Sequence, residues 1–502
     1  MAAAGPPVWV GVDVGTQSLK VVVTDGALVP KGAARRTYRP HFPQPGWAEQ
    51  DPASWERALG PAIAEALAAA GARPGDVRGL GVCGQLDGCI AVDDAGRALG
   101  PCLLWMDRRA SDEMTDIPTD LVRPSTGIIA DAGHMAAKVR WLKRHRLPGR
   151  RDGSRSEELG GHGTRFHQPV TYLVERLTGA FVIDHALAST TMVCALESPR
   201  YDETLLKLFG IDAGELPRID RADNLAGHLH ASGAALTGLP PGLPVAVGTG
   251  DDFATALGGG LVTPGRVCVG LGTAEVVGAL HPSPLIDGAG LVETHPYPGG
   301  GFFIENPGWL GGGSVSWLMS VLGITDPKQL DDLAASVSPG ADGVTFLPAL
   351  SGAMAPRWRA TARGCFYGLT AAHGREHMAR AVLEGTAFAM RDVIDRLDTM
   401  GIATDTILLV GGGARSTLWG RIRADVAGRR VDVPRTVDAC PIGAAALAAV
   451  ASGDIRTLAD AAALSGGNCV AIEPDPSRVD AYADAYAAYR RLFDILEPMF
   501  PA

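Results

Sequence analysis

The sequence is poor in the features that mark membrane, secreted and nucleic-acid-binding proteins. Its longest run of small apolar residues, 444–451, is far shorter than the roughly 20 residues that a membrane-spanning helix needs. The N-terminus, MAAAGPPVWV, has neither the basic segment nor the apolar core of a secretory signal. The formal net charge of −10 argues against nucleic acid as the main partner. We therefore expect neither a membrane nor a nucleic-acid partner.

Signatures of zinc and of the common nucleotide-binding loops are also lacking. The eight cysteines are scattered without paired or CxxC spacing, which gives no zinc site and favours reduced thiols in the cytoplasm. No GxxxxGK[ST] motif occurs, so a nucleotide would be held by a fold other than that of the P-loop proteins. The stretch 79–84 formally matches GxGxxG, but it leads into a strand and does not indicate a dinucleotide site.

The chain is long and rich in glycine. At 502 residues it is too long for one hydrophobic core, so at least two domains are expected. Its 65 glycines fall in turn-like groups rather than in low-complexity tracts. The proline-rich segment 239–244 marks a boundary, which predicts domains of residues 1–243 and 244–502. The segment 144–165, rich in Arg, Gly and Ser, is predicted to be an exposed loop.

The stretch 245–275 is the most informative part of the chain. Its first predicted strand, 245–247, leads through a Gly-Thr-Gly turn to two adjacent carboxylates, Asp251 and Asp252, at which a helix begins. A carboxylate at the carboxyl end of a buried strand is a common position for a catalytic base in α/β proteins. The alternative is that one of the pair serves only as a helix N-cap, a position that aspartate favours.

A seven-residue pattern, V-x-V-[D/G]-x-G-T, occurs twice, at 10–16 and at 267–273. Each copy is predicted to be a buried strand that turns through glycine and threonine into the next strand. Such turns present backbone N–H groups and a hydroxyl, which suit phosphate oxygens. Only the first copy carries a carboxylate, Asp13. If both copies face one nucleotide, Asp13 lies on the metal side, because Mg²⁺ prefers oxygen ligands.

Two further segments carry polar groups suited to a small hydroxyl-bearing ligand. In GQLDG, residues 84–88, Gln85 and Asp87 occupy a glycine-flanked turn between apolar strands. An ordinary turn, with the aspartate in a turn-forming role, is the alternative there. The segment LLWMDRR, 103–109, combines an aromatic ring, a carboxylate and two guanidiniums, a mixture that suits a sugar. A surface Asp–Arg pair beside a core tryptophan is the alternative there.

Taken in order, these motifs resemble those of the FGGY carbohydrate kinases, most closely the xylulokinase branch. The matching segments span nearly the whole chain: DVGTQSLK, PGWAEQDPASW, GQLDG, LLWMDRR, ERLTG, GTGDD, GLGTA, RAVLEGTAFAMRD, GGGARSTLW and PIGAAALAA. The resemblance implies an α/β fold of the actin-like ATPase (ribonuclease H-like) type, with two similar lobes and a cleft between them. It also implies a cytoplasmic enzyme that uses Mg²⁺ and ATP to phosphorylate a terminal hydroxyl of a xylulose-like pentulose or a polyol.

The resemblance also assigns roles to single residues. Asp251 matches the catalytic base, and Asp13 matches the metal-binding position. The positions that match the ATP site are Gly15, Thr16, Gln17, Gly272, Thr273, Gly412, Gly413 and Ser416. The positions that match the substrate site are Gln85, Leu86, Asp87, Trp105, Asp107 and Asp252.

The chain departs from the family pattern at three places. Xylulokinases usually read GQMHG where this chain has GQLDG, so Asp87 replaces a histidine that contacts the sugar, as in some polyol and pentulose kinases. The family's GERTP loop is GAMAP here, at 352–356, and lacks a glutamate and an arginine. The acidic residue before the last Gly-Ala-Ala helix is matched only loosely, by Asp438.

Two other classes of protein share part of this pattern: an actin-like ATPase of filament or chaperone type, and a non-catalytic sugar-binding protein. The first has no need of the GQLDG and LLWMDRR segments, and the second has no need of Asp13 and Asp251. We expect a small sugar or polyol as partner, and the sequence leaves the oligomeric state open, a homodimer included.

Overall fold

The computed structural model describes residues 5–145, 163–467 and 469–500. An exposed loop was predicted over residues 144–165, and residues 146–162 of it lie outside the described residues. The chain forms two compact units, the first of Met1–Val262, Thr294–Phe302 and Ala439–Gly466, and the second of Thr263–Glu293, Phe303–Asp438 and Gly467–Ala502. None of the described helices is long and apolar enough to cross a membrane.

The strands are β1 (Val8–Val14), β2 (Ser18–Thr24), β3 (Pro30–Thr37), β4 (Glu49–Gln50), β5 (Val77–Gly84), β6 (Ile90–Val92), β7 (Cys102–Leu103), β8 (Arg165–His167), β9 (Val182–Asp184), β10 (Arg218–Asp220), β11 (Leu225–His228), β12 (Pro244–Ala246), β13 (Thr249–Gly250), β14 (Arg266–Leu271), β15 (Glu275–His281), β16 (Glu293–Pro296), β17 (Phe302–Trp309), β18 (Thr345–Leu347), β19 (Cys365–Tyr367), β20 (Thr406–Val410), β21 (Arg430–Pro434) and β22 (Cys469–Ile472).

The α-helices are α1 (Pro52–Ala70), α2 (Thr119–Thr126), α3 (Met135–His145), α4 (Pro169–Thr178), α5 (His185–Ser189), α6 (Glu203–Phe209), α7 (Ala231–Thr237), α8 (Asp251–Gly258), α9 (Gly311–Leu322), α10 (Pro327–Ala335), α11 (Arg375–Thr399), α12 (Thr417–Ala427), α13 (Ala439–Ala451), α14 (Leu458–Ser465) and α15 (Pro476–Leu496).

The first unit is built on a sheet whose strands lie in the order β11-β12-β5-β1-β2-β3. β1 pairs antiparallel with β2, as the sequence predicted, and this register sets Asp13 opposite Lys20. β1 also pairs in parallel with β5, and β13 pairs in parallel with the end of β5. The carboxyl ends of β1, β5 and β13 therefore meet at one edge, which brings Asp13, Gln85 and Asp251 into one region of the unit.

The second unit repeats this pattern. Its strands lie in the order β17-β15-β14-β20-β21-β22. β14 pairs antiparallel with β15 and in parallel with β20, as β1 does with β2 and β5. β21 is parallel to β20 and antiparallel to β22, as β12 is to β5 and β11. The twin V-x-V-x-x-G-T turns thus occupy equivalent positions in two sheets of the same topology.

The first unit extends beyond the boundary expected at residue 243, because α8 packs against α13. α13 also lies unusually close to the sheet, since β1 and β5 present glycines to it. A Cβ on Gly11 would lie 1.8 Å from the carbonyl oxygen of Pro441, and one on Gly81 would lie 1.9 Å from that of Ala444. Glycine is required at both positions because any side chain would displace the helix.

Candidate active site

Asp13 lies at the end of β1 and is almost fully buried, with 4% of its surface exposed. Its Oδ2 atom is 3.2 Å from Nζ of Lys20, with which it forms an ion pair. Its Oδ1 atom is buried and has no hydrogen-bond partner among the described residues. Buried polar atoms in native proteins are normally satisfied, and Mg²⁺ binds carboxylate oxygen. Asp13 therefore fits a magnesium ion.

Asp251 and Asp252 are the first two residues of α8, and the N-cap position before them is occupied by Gly250. The N-cap alternative therefore does not describe either carboxylate. Burial, and after it the nearby charge of Asp13, raise the pKa of Asp251 to about 7. Burial, together with the charges of Asp251 and Asp87, also holds the pKa of Asp252 well above its usual value. A carboxylate that titrates near neutral pH is suited to act as a general base.

The backbone of Asp87 is held in the turn by two surrounding side chains, Gln168 and Lys138. Its backbone has a φ of 58°, in the left-handed region that non-glycine residues rarely adopt. Its N–H donates to Oε1 of Gln168 at 2.8 Å, and its carbonyl accepts from Nζ of Lys138 at 2.7 Å. Such strain persists only where the surroundings enforce it, and it clusters at functional sites. Aspartate tolerates the left-handed region and often forms turns, so this backbone geometry also fits the ordinary-turn alternative.

The carboxylate of Asp87 faces His134, which the sequence analysis missed. Nδ1 of His134 is 3.1 Å from Oδ2 of Asp87, and Nε2 is 3.0 Å from the carbonyl oxygen of Ile129. An ionised carboxylate and a carbonyl both only accept, so both ring nitrogens must carry a proton for the two contacts to be hydrogen bonds. The Oδ1 atom of Asp87 is buried and has no hydrogen-bond partner among the described residues.

Gln85 and Trp105 join a network around the first Gly-Thr turn. The hydroxyl of Thr16 donates to Oε1 of Gln85 at 3.2 Å and accepts from Nε1 of Trp105 at 3.1 Å. Nε2 of Gln50 donates to the carbonyl of Thr16 at 3.1 Å, and Oε1 of Gln50 accepts from Gln85 at 3.2 Å. The network ties the phosphate-type turn to both predicted substrate segments. Because Gln85 and Trp105 both bond to the hydroxyl of Thr16, this hydroxyl fixes the position of one side chain relative to the other.

Asp107 accepts hydrogen bonds that hold the LLWMDRR segment in place. Its Oδ2 atom accepts from the N–H of Ala48 at 2.6 Å and from Nη2 of Arg109 at 2.7 Å, and its Oδ1 accepts from Nε of Arg109 at 2.9 Å. Arg109 also lies over the ring of Trp47, 3.7 Å from its centroid. The Asp–Arg pair that was the alternative for this segment does exist, but it is buried. Asp107 lies against Arg109, and both of its carboxylate oxygens accept hydrogen bonds from the protein.

Leu86 and Gln17 complete the predicted residues of the first unit. Leu86 packs against the turn before Asp251, because a Cβ on Gly250 would lie 2.5 Å from Cδ2 of Leu86. Gln17 is exposed, and the carbonyl of Gly15 accepts a hydrogen bond from the hydroxyl of Tyr38 at 2.8 Å. The hydrogen bond from Tyr38 therefore holds the first Gly-Thr turn in place.

The predicted ATP-binding residues of the second unit meet at one sheet edge. Gly270 of β14 pairs with Val410 of β20, so the turns after both strands are neighbours. The first turn contains Gly272 and Thr273, both exposed; the second contains Gly412, Gly413 and Ser416. A Cβ on Gly413 would lie 2.5 Å from Cγ of Leu271, so only glycine allows the two turns to approach.

Further contacts fix the shape of this edge. The N–H groups of Gly312 and Gly313, at the start of α9, donate to the carbonyls of Gly272 at 3.1 Å and Thr273 at 2.9 Å. The hydroxyl of Ser416 caps α12 by accepting from the N–H of Trp419 at 3.0 Å. The result is a set of glycine turns and helix starts, at which backbone can approach a nucleotide closely.

The sequence analysis missed the support around Asp87. His134 immediately precedes α3, and Lys138 follows four residues later in the first turn of that helix. Lys138 is fully buried, and burial lowers its pKa despite the opposing charge of Asp87. The signal that could have found these two residues is their spacing of four positions in a mainly apolar segment.

The chain matches one protein family over most of its length. Residues 8–258 match the N-terminal domain of the FGGY family of carbohydrate kinases, and residues 267–452 match its C-terminal domain. The chain is 30% identical to the xylulose kinase of Escherichia coli (strain K12), over 98% of this chain and 99% of that protein. It is 34% identical to the glycerol kinase of Aromatoleum aromaticum, over 88% of this chain and 89% of that protein.

A solved structure shows the same fold. The crystal structure of xylulose kinase from Rhodospirillum rubrum has a TM-score of 0.83 at 30% identity, and the match covers 98% of this chain and 99% of that one. The fold class and the resemblance that the motifs predicted are thereby confirmed. The chain belongs to the FGGY family of carbohydrate kinases, which are ATP-dependent enzymes of the α/β actin-like ATPase fold.

Proposed function

We propose that this kinase phosphorylates a terminal hydroxyl of a polyol or of a hydroxyl-rich ketopentose other than D-xylulose. The observation that carries the proposal is the buried Oδ1 atom of Asp87, an acceptor without a partner among the described residues. A carboxylate oxygen in this position binds a hydroxyl, which can donate, better than a ketone oxygen, which cannot. The presence of glycerol kinases as well as xylulose kinases among the relatives is consistent with this.

In the first unit, Asp251 is the proposed catalytic base. It accepts the proton of the attacking hydroxyl as that oxygen bonds to the γ-phosphorus of ATP and the bond to ADP breaks. Asp252 and Asp87 bind the substrate's hydroxyls, while Leu86 and Trp105 contact its carbon chain. Gln85 and Asp107 act on the substrate through the residues they position.

Asp13 is the proposed ligand for Mg²⁺, because its buried Oδ1 is available to a hard cation. The bound ion would neutralise charge on the phosphates during transfer. Lys20 holds the other oxygen of Asp13, which fixes the direction of Oδ1. Gly15, Thr16 and Gln17 form the phosphate turn of this unit.

In the second unit, the exposed turn at Gly272 and Thr273 is proposed to contact phosphate oxygens of ATP. The adjacent turn with Gly412, Gly413 and Ser416 is proposed to contact the adenosine, since backbone there can approach a ring or ribose closely. All eight cysteines are free thiols, which supports the reducing, cytoplasmic location expected from the sequence.

A coupled assay of ADP release over a panel of ketopentoses, tetritols, pentitols and glycerol tests the function. We expect a polyol or a ketopentose to stimulate ADP release strongly, and Asp251→Asn to lower kcat by roughly 10²–10⁴-fold with ATP binding retained. Asp112→Asn, which alters an exposed carboxylate of the same unit, is the matched control. Near-normal kcat in Asp251→Asn would remove this residue as the base.

The same panel separates the two rival classes. An ATPase of filament or chaperone type would release ADP at one rate whether or not a polyol is present. A sugar-binding protein without catalysis would bind a member of the panel and release no ADP with any of them. Either result would contradict the proposed function.

A further inference from the structure

Two cysteines that lie 357 residues apart in the sequence meet beside Asp13. The Sγ atoms of Cys83, in β5, and Cys440, in the first turn of α13, are 3.2 Å apart. Both residues are buried, with 0% and 7% of their surfaces exposed. Cys83 is further held by Sγ contacts of 3.3 Å to the carbonyl of Val12 and 3.4 Å to that of Cys440.

A carboxylate oxygen completes a set of three possible metal ligands. One oxygen of Asp13 and the two sulfur atoms all lie within 4.8 Å of one another. Asp13 is 4% exposed, and its Oδ1 has no hydrogen-bond partner among the described residues. Lys20 binds Oδ2, so Oδ1 is the oxygen of Asp13 that is open to a cation.

We propose that Cys83, Cys440 and Asp13 form a binding site for a thiophilic divalent cation such as Zn²⁺, which competes with Mg²⁺ at Asp13 and inhibits the kinase. Soft sulfur ligands select Zn²⁺ or Cd²⁺ over Mg²⁺, which prefers oxygen. As each metal–sulfur bond forms, the thiol releases its proton to solvent, and no oxidation or reduction is involved. Three protein ligands leave the fourth tetrahedral position of Zn²⁺ open to water.

The packing of α13 makes this arrangement preformed. Cys83 and Cys440 form a small buried cluster with Ala254 and Ala444. The glycines of β1 and β5 admit the backbone of α13 to contact distance, which brings Cys440 of that helix against Cys83 of β5. A preformed set of ligands lowers the ordering that metal binding would otherwise require.

Binding is measured on the reduced, metal-free full-length protein without ATP. We expect equilibrium dialysis to retain one Zn²⁺ per chain in a large excess of Mg²⁺, and Cd²⁺ to produce a thiolate-to-metal absorption band in the ultraviolet. Cys440→Ala and Cys83→Ala should each weaken Zn²⁺ binding at least about tenfold, since even the partners of metal ligands contribute roughly 10–100-fold. Cys268→Ala, which removes a buried thiol of β14 in the second unit, should leave binding unchanged.

The two cysteine variants keep the test decisive if one of them fails to fold, because each removes one ligand independently. Zn²⁺ affinity that is unchanged in the folded variants overturns the proposal. Absence of the Cd²⁺ band from the wild type, or a disulfide between the two cysteines in the purified protein, also overturns it.

Inhibition is measured separately, and this arm depends on the proposed role of Asp13 in binding Mg²⁺. We expect Zn²⁺ to inhibit the wild type, added Mg²⁺ to relieve the inhibition, and Cys440→Ala to need at least about tenfold more Zn²⁺. Equal inhibition of the wild type and both variants would place the inhibitory metal elsewhere. A wild type that binds Zn²⁺ as expected but phosphorylates nothing would contradict the proposed function and leave the metal site standing.

Discussion

The Nδ1 atom of His134 lies 3.1 Å from Oδ2 of Asp87. The carboxylate of Asp87 is thereby directed to His134 and not to the two arginines that follow Trp105. Arg108 pairs instead with Asp131 at 2.6 Å, and Arg109 pairs with Asp107. One oxygen of Asp87 thus faces His134, and the other has no hydrogen-bond partner among the described residues.

Asp87→His should shift the preference of the enzyme toward D-xylulose, because a histidine can donate to a ketone oxygen and an ionised aspartate cannot. A mismatched buried polar group costs about 1–3 kcal/mol, so the ratio of kcat/KM values should change about tenfold to a hundredfold. The measurement is kcat/KM over the panel of polyols and ketopentoses, with Asp131→Asn as the control. A wild type that prefers D-xylulose, together with an unchanged ratio in Asp87→His, would contradict the proposal.

The activity should fall as the pH is lowered through neutrality, because the base must be ionised to accept a proton. The pKa of Asp251 is raised to about 7, so below this pH the protonated, inactive form dominates in the free enzyme. We expect log kcat/KM to rise with pH up to this value and then to level off. In Asp251→Asn this rise of log kcat/KM with pH should be absent. An inflection near 4, the ordinary value for an exposed aspartate, would show that the surroundings do not act on the base as described.

Asp13→Ala should weaken magnesium-dependent turnover while leaving binding of the sugar or polyol almost unchanged. Only the first of the two Gly-Thr turns carries a carboxylate, and its Oδ1 is buried without a partner among the described residues. The measurement is a magnesium titration of kcat, with calorimetric binding of the substrate as the control. Turnover that is indifferent to the change at every magnesium concentration would remove Asp13 from the metal site.

Trp105 should report substrate binding without ATP by a change in fluorescence. Its indole N–H donates to Thr16 at 3.1 Å and the residue is only half-buried, so a ligand can alter its surroundings. The change should be lost in Trp105→Phe and kept in Trp358→Phe, which alters a half-buried tryptophan of the second unit. A full signal in Trp105→Phe would assign it to another of the nine tryptophans and count against this placement.

Glu275→Gln should destabilise the second unit. Glu275 and Arg423 form a doubly hydrogen-bonded ion pair at 2.6 and 2.7 Å, and both side chains are 0% exposed. Removing one partner leaves a buried charge uncompensated, which costs about 3–5 kcal/mol. Thermal unfolding should show a lower Tm, whereas Asp332→Asn, which breaks the exposed pair with Lys328, should not change it. Equal Tm values for the two variants would contradict the importance of the buried pair.

Local patterns were sufficient to predict much of this protein. The hairpin of β1 and β2 follows from two apolar runs around a glycine turn. The pair Asp251–Asp252 was recognised because a strand, a glycine turn and a helix follow one another directly. Each of these features depends on residues within a few positions of one another.

Contacts between distant segments were decided by strand register and helix packing, which no local pattern records. The first compact unit includes α8 because α13, far along the chain, packs on it. Asp87 and His134 are 47 residues apart, and the turn that contains Asp87 is held by Gln168 and Lys138. The scattered spacing of the cysteines indicated no metal site. Glycines on β1 and β5 nevertheless let α13 approach so closely that the thiols of Cys83 and Cys440 come into contact.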